Sequence, residues 1–187
     1  RDAAHLVALI NRGEVRRRRG LLDGALCDWR EVVRLSPDRP SAHLNLGVLN
    51  LEMGAHDLAI AELNRALELQ PGYSNAYHNR AIAHARKGEY EQAVRDLTRV
   101  LEINPGDADA WNLRGDCRSE LHARSLEKSH LDGAMSDFDR AIAIDPKHAL
   151  ARYNRGVLYE SLDRPWEALE DLWTAAPSLR DFVEPRL

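Results

Sequence analysis

The chain has 187 residues, of which 44% are hydrophobic and 30% charged, a globular balance and not a disordered one. Its 26 basic and 30 acidic residues leave a net charge of −4, too close to neutral for nucleic acid to be expected as the main partner. No apolar run approaches the ~18 residues of a helical membrane span, and "RDAAHLVALINRGEV" is too short and too interrupted in its apolar stretch to read as a secretory signal, which leaves a cytoplasmic setting as the default expectation.

Four prolines set a period. Pro37, Pro71 and Pro105 are 34 residues apart, and Pro146 follows after 41. Aligned on them, each unit has a small residue (Gly13, Gly47, Ala81, Gly115, Gly156), then an alanine (Ala25, Ala59, Ala93, Ala134, Ala168). Four residues later comes a large apolar residue: Trp29, Leu63, Leu97, Phe138, Leu172. This spacing predicts two amphipathic helices per unit with a turn between them.

The first unit, about residues 6–39, closes its first helix with "VRRRRG", where cations meet the negative end of the helix dipole; this reads as a solvated terminal cap before it reads as an anion site. The second unit, 40–73, has Ser41 as the expected N-cap and Gly54 at the C-terminal end of its first helix. Its second helix carries Leu58, Leu63, Ala66 and Leu67 at helical spacing and stops at Pro71. The third unit, 74–107, repeats the pattern. The fourth, 108–148, has seven extra residues around 119–133, enough to lengthen each of its helices by roughly one turn. The fifth, 149–176, places Trp173 where the other units have Arg30, Asn64, Thr98 and Asp139. The tail, 177–187, is expected to fold back, with Phe182 and Val183 covering the exposed end.

"AWNLRGDCR" supplies Trp111 and Gly115, "YNRGVLY" supplies Gly156 and Tyr159, and Ala-x3-large recurs five times. In these features the chain resembles the tetratricopeptide repeat family over about residues 3–176. The resemblance implies an all-α, right-handed superhelical solenoid of helix–turn–helix hairpins. First helices would line a concave groove and second helices form the convex back. A long coiled coil is disfavoured by the regular prolines. The small residue of the first helix and the alanine of the second allow close approach, since interaxial distances of about 8–10 Å depend on the residues at the contact.

Two residues before the small position stand Asn11, Asn45, Asn79, Leu113 and Asn154. Helix propensity does not call for Asn there. The row resembles the asparagine ladder of some tetratricopeptide proteins, which holds the backbone of an extended peptide. A carboxamide suits that task because it both donates and accepts. Asn45 and Asn79 are the best-placed clamps, with Asn11 and Asn154 extending them. Asn75, His78, Asn112 and Tyr153 are candidates for tuning specificity, Asn112 as a partial substitute where Leu113 interrupts the row. The competing reading is that these asparagines bond adjacent helices or face water. Other groove positions are mixed: Ile10 and Leu44, Glu14, Val48, Ile82, Asp116 and Val157, and Val7, Ser41, Asp109 and Leu150. The chaperone-binding subtype, which grips a carboxylate with basic residues and asparagines, is not matched: Ile10 and Glu14 stand at its first-repeat Lys and Asn positions, and Asn75 and Asn79 replace its third-repeat basic pair.

No H-E-x-x-H, G-x-S-x-G or phosphate-binding loop is present, so no metal, cofactor or catalysis is expected. Cys27 and Cys117 fall on hairpins too far apart to form a disulfide. The expected function is a non-catalytic protein–protein interaction scaffold binding an extended segment of a partner. Two alternatives stand beside it: a self-association module forming a homo-oligomer through the terminal repeats, and a targeting or regulatory segment of a larger protein, which the start at Arg1 permits.

Overall fold

The described residues of a computed structural model form ten helices and no strand; they comprise the backbone of residues 2–183 and the side chains of residues 4–176. The helices are α1 (Asp2–Arg18), α2 (Leu22–Leu35), α3 (Pro40–Glu52), α4 (His56–Leu69), α5 (Ser74–Arg86), α6 (Tyr90–Ile103), α7 (Ala108–Ser125), α8 (Lys128–Ile144), α9 (Ala149–Ser161) and α10 (Pro165–Val183). They divide into two compact units, residues 1–96 and 97–187.

Local chemistry sets the helix ends. Gly20, Gly54 and Gly88 follow the first helices of three hairpins with φ of 73°, 75° and 74°, the left-handed conformation glycine adopts without strain. At Gly54 the turn is closed by Gly54 N–H to the Leu51 carbonyl at 3.0 Å and Ala55 N–H to the Asn50 carbonyl at 2.8 Å. Leu126 and Asp163 take over this position in the last two hairpins, at φ 58° and 56°. Pro40 opens α3 at a position where its missing N–H costs nothing. Ser41 therefore lies inside the helix; the N-cap is Arg39, which makes no side-chain capping bond, so the expected serine cap is not formed. The seven extra residues extend both helices of the fourth hairpin, α7 to 18 residues and α8 to 17, against 13 in α5 and 14 in α6.

In the first unit, Ala25, Trp29 and Val32 of α2 pack with Ala42, Leu46 and Leu49 of α3. Ala59, Leu63 and Ala66 of α4 pack with Ala76 and Ala83 of α5. In the second unit Ala134 and Phe138 of α8 pack with Leu158 of α9. The glycines of the first helices let the large residues in. A Cβ built on Gly47 would stand 2.7 Å from Leu63 Cγ, on Gly115 2.7 Å from Phe138 Cε1, and on Gly156 2.9 Å from Leu172 Cγ.

A second, ionic element accompanies this packing. Arg12, Arg80, Arg114 and Arg155 each precede the small position by one residue, and each grips a buried aspartate in the following helix. Arg12 Nη2 donates to Asp28 at 2.7 Å, Arg80 Nη2 to Asp96 at 2.6 Å, Arg114 Nη2 to Asp137 at 2.7 Å and Arg155 Nη2 to Asp171 at 2.8 Å. Burial pushes the Asp28 carboxyl up, but bonds and charge from Arg12 and Arg16 outweigh this and hold it below the ordinary carboxylate value. In the first and fourth hairpins a second arginine joins: Arg16 Nη1 donates to Asp28 at 2.8 Å and to the Gly24 carbonyl at 3.2 Å, and Arg118 Nη1 to Asp137 at 2.7 Å and to the Gly133 carbonyl at 3.3 Å. The second hairpin, with Leu46 in place of the arginine, pairs His43 Nδ1 with Glu62 at 2.8 Å instead.

The expected fold-back of the tail is not what the backbone does: α10 continues through Val183. The side chains of Phe182 and Val183, and residues 184–187, lie outside the described residues.

Gly115→Ala should destabilise the chain by about 1–3 kcal/mol through overpacking, while Gly72→Ala, with nothing within 4 Å of the added carbon, should be neutral; urea unfolding midpoints distinguish the two. Removing the buried Asp137 carboxylate strands Arg114, whose side chain is 10% exposed, so Asp137→Ala should cost about 3–5 kcal/mol. The exposed Arg34–Glu31 pair is screened by water, so Glu31→Ala should leave the unfolding midpoint nearly unchanged. Burial, then the charges of Asp116 and Glu120, push the Cys117 thiol up to about 12, whereas Cys27 is exposed. A thiol reagent at mildly alkaline pH should therefore label Cys27 in the native protein and Cys117 only on unfolding.

Candidate functional site

The residue two before the small position is turned about 200° from it around the helix. The small residue faces the hairpin partner, so the Asn row faces outward. In the first unit this puts Asn11 of α1 and Asn45 of α3 on one cavity of about 350 Å³, with Ile10, Glu14, Trp29 and Val48 around it. Neither carboxamide has a hydrogen-bond partner among the described residues. Leu44, three residues before Gly47 and so on the same face as it, is buried in the core and not in the groove.

The rim of this cavity is electrostatically organised. Arg17 Nε donates to Glu14 at 3.0 Å and Nη1 reaches Glu52 of α3, while Arg18 Nε donates to Glu14 at 2.7 Å. The Arg17 bond foremost, with Arg18 behind it, brings the Glu14 carboxyl down to about 2 against the opposing effect of burial. With Arg16 tied to Asp28, three arginines of the run "VRRRRG" answer carboxylates of their own unit.

The third asparagine of the unit behaves differently. Asn79 Nδ2 donates to the Asn75 carbonyl in its own helix at 2.7 Å; Asn75 is exposed and His78 half-buried beside it.

In the second unit, Asn154 Nδ2 of α9 donates to Asn112 Oδ1 of α7 at 3.1 Å. Where Leu113 interrupts the row, Asn112 thus meets the next asparagine side chain to side chain. A second cavity of about 220 Å³ lies here, bounded by Asp116, Ser119 and Glu120 of α7 and Tyr153, Asn154, Val157 and Ser161 of α9 over Phe138. Asp116 keeps an exposed edge, yet the cavity walls strip water from its carboxyl and Glu120 adds like charge, so its pKa is raised. Asp109 accepts from His148 Nε2 at 3.1 Å, and His148 in turn caps α9 through the Ala151 N–H. Sequence reasoning did not place Ser119, Glu120 or Ser161 in the site; they fall on the turns that follow the aligned positions, and the lengthening of α7 was the available signal.

Among the described residues no group of three or more His, Cys, Asp or Glu side chains is arranged to hold a metal ion, and no helix is long and apolar enough to cross a membrane. The groups gathered here are carboxamides, hydroxyls, paired carboxylates and apolar side chains, which bind by hydrogen bonding and contact.

Family models described as tetratricopeptide repeat match residues 10–74, 50–117 and 138–170, together more than half of the chain. Among curated protein sequences none matches. Solved structures do. A crystal structure of MamA is 24% identical, covers 91% of this chain and 95% of that one, and superposes with a TM-score of 0.78. MamA 41-end from Desulfovibrio magneticus RS-1 is 20% identical over 96% of this chain and 97% of that one, with a TM-score of 0.82. YrrB, described as a TPR protein with an unusual peptide-binding site, is 24% identical over 92% of this chain and 86% of that one, with a TM-score of 0.71. At these identities the likeness establishes the fold. Five proline-punctuated units, helical hairpins closed around small residues and these matches agree: the chain belongs to the tetratricopeptide repeat family, with its all-α solenoid fold.

Proposed function

We propose that the protein is a non-catalytic interaction scaffold that binds an extended segment of a partner protein against its first helices, gripping the segment's main chain through asparagine carboxamides. One observation carries the reading: Asn11 and Asn45 stand on the same open cavity with their carboxamides uncommitted, beside the apolar Ile10 and Val48. Each carboxamide can donate to a peptide carbonyl and accept from a peptide N–H. Strand residues rise ~3.3 Å each, so first helices about 10 Å apart would meet every third residue. Main-chain contact tolerates many side chains in the ligand, while Asp116 and Glu120 in the second-unit cavity disfavour a peptide's terminal carboxylate there.

Family membership supports the scaffold role, because tetratricopeptide repeat proteins bind protein partners. The description of YrrB as carrying a peptide-binding site adds support for a peptide ligand. Asn79 and the Asn112–Asn154 pair take part by exchanging their internal bonds for bonds to the ligand, which makes them weaker contributors than Asn11 and Asn45. His78, Asn75 and Tyr153 border the row and tune which segments are preferred.

The test uses a peptide enriched on the wild-type protein from a random-sequence display library. Replacing both carboxamides in Asn11→Ala/Asn45→Ala should weaken its binding by tenfold or more in calorimetry, with unchanged helical circular dichroism. Asn112→Ala/Asn154→Ala should weaken it less. Equal affinity of wild type and the Asn11/Asn45 variant would remove the carboxamide row from the mechanism.

A further inference from the structure

Three of the hairpins are joined to the one before by a polar contact from the arginine beside the small position, and at one of these junctions a second cation adds another contact. In the first unit, Arg80 Nη1 of α5 donates to Asn64 Oδ1 of α4 at 2.6 Å, and seven residues on, Lys87 Nζ reaches Asp57 of α4 at 2.7 Å. In the second unit, Arg114 Nη1 donates to Thr98 at 3.1 Å and Arg155 Nη1 to Asp139 at 2.6 Å. Between the polar contacts lie apolar ones: Ile60 of α4 packs against the cluster that contains Ala76 and Ala83 of α5, and Met135 of α8 against the one that contains Leu158 of α9.

The outward face of α1 carries the cation half of this pattern, left exposed by the described residues. Arg12 aligns with Arg80, Arg114 and Arg155. Its Nε and Nη2 hold Asp28, yet its side chain is 57% exposed, against 21%, 10% and 18% for the others. Ala8 aligns with Ala42, Ala76, Ala110 and Ala151, all fully buried, but is itself exposed. Val15, aligned with the buried Leu49, Ala83, Cys117 and Leu158, is exposed as well. Arg19 aligns with Lys87 and is exposed.

The outward face of α10 carries the other half, altered in one respect. Leu169 aligns with Ile60 and Met135 and is 56% exposed. At the two polar positions α10 has tryptophan: Trp173 aligns with Asn64, Thr98 and Asp139, and Trp166 with Asp57. They are 77% and 79% exposed. Trp166, Leu169 and Trp173 occur at i, i+3 and i+7 and so share one helix face.

We propose that α10 of one molecule stacks on α1 of a second copy in the same antiparallel register that joins successive hairpins within the chain. Trp173 then lies against the outward edge of Arg12, Trp166 against Arg19, and Leu169 against Val15. The register is constrained by its own arithmetic: both the two cations and the two indoles are seven residues apart, as are Arg80 and Lys87 facing Asn64 and Asp57. Indole is the best aromatic partner for a guanidinium, and a guanidinium already bonded to Asp28 along one edge keeps its face and its other edge for it. The occupant is a second copy because α1 offers the matching cations at the matching spacing. This interface is heterologous, so each added molecule leaves one face of each kind free. It uses neither Asn11 nor Asn45 and stands or falls separately from peptide binding.

Sedimentation equilibrium of the 187-residue chain tests it. Mass should climb from 21.1 kDa past two copies as concentration rises from micromolar to millimolar. Leu169→Lys/Trp173→Arg, which blocks α10, and Val15→Glu/Arg19→Glu, which blocks α1, should each remain at one copy. Mixed in equal amounts, they should form one-to-one pairs and nothing larger, since each retains one intact face. Trp173→Asp, which restores the acceptor chemistry of Asp139, should still assemble. All substituted side chains are exposed, and circular dichroism verifies that the variants stay helical. A wild-type mass constant at one copy would overturn the proposal. So would dimerisation of the α1-blocked chain alone, the signature of α10 meeting α10, or a failure of the two blocked chains to pair.

Discussion

The structure depends on a guanidinium reaching across four of the five hairpins to a carboxylate that water scarcely touches. Arg114 and Asp137 are the extreme case, both buried. A pair of this kind adds little net stability over an apolar substitute of equal volume, because desolvating both charges offsets most of their attraction. Its effect lies in what it forbids. Slide one helix along the other, or rotate it, and a buried charge is left without its partner. The small residue next in sequence allows the helices to come close at many registers; the ion pair selects one.

The same arginines couple neighbouring hairpins. The Nη1 of Arg80 meets Asn64 while its Nε and Nη2 hold Asp96. One side chain thus links three helices, and the planar fork of the guanidinium makes this possible where an ammonium could not. With the inner side of each first helix committed in this way, the asparagine two residues from the glycine is left on the outer side. The candidate binding row is a geometric consequence of where the structural residues point.

Much of the fold was legible because it rests on periodic, chemically distinctive residues. Prolines, small residues and Ala-x3-large place the hairpins, and the close approaches at Gly47, Gly115 and Gly156 are what that spacing implies. The arginine–aspartate pairs were equally regular in sequence, but an arginine beside a glycine is ambiguous until the carboxylate facing it is known, and Leu46 interrupts the series. The second hairpin's exchange is visible only in three dimensions: with Leu46 present, Glu62 occupies the aspartate position and turns to His43. The site was legible to the level of a row and no further. Whether an amide is free depends on its neighbours, and so Asn11 and Asn45 differ from Asn79, bonded to its own helix, and from Asn154, bonded to Asn112. Nor does α3 begin at the serine, since a proline at N1 pre-sets the helix one residue earlier.

Gly24 and Gly133 explain where the second arginine can occur. A side-chain carbon at Gly24 would stand 3.2 Å from Arg16 Cδ, and one at Gly133 3.2 Å from Arg118 Cδ. At the positions aligned with these arginines the other hairpins have Asn50, His84 and Tyr159, and at the positions aligned with the glycines they have Leu58, Gln92 and Glu167. Arginine and glycine therefore occur together or not at all within this one chain. The two residues act as one unit: the bare backbone at the glycine gives the arginine stem room to lie across it and reach both the buried aspartate and the glycine's own carbonyl.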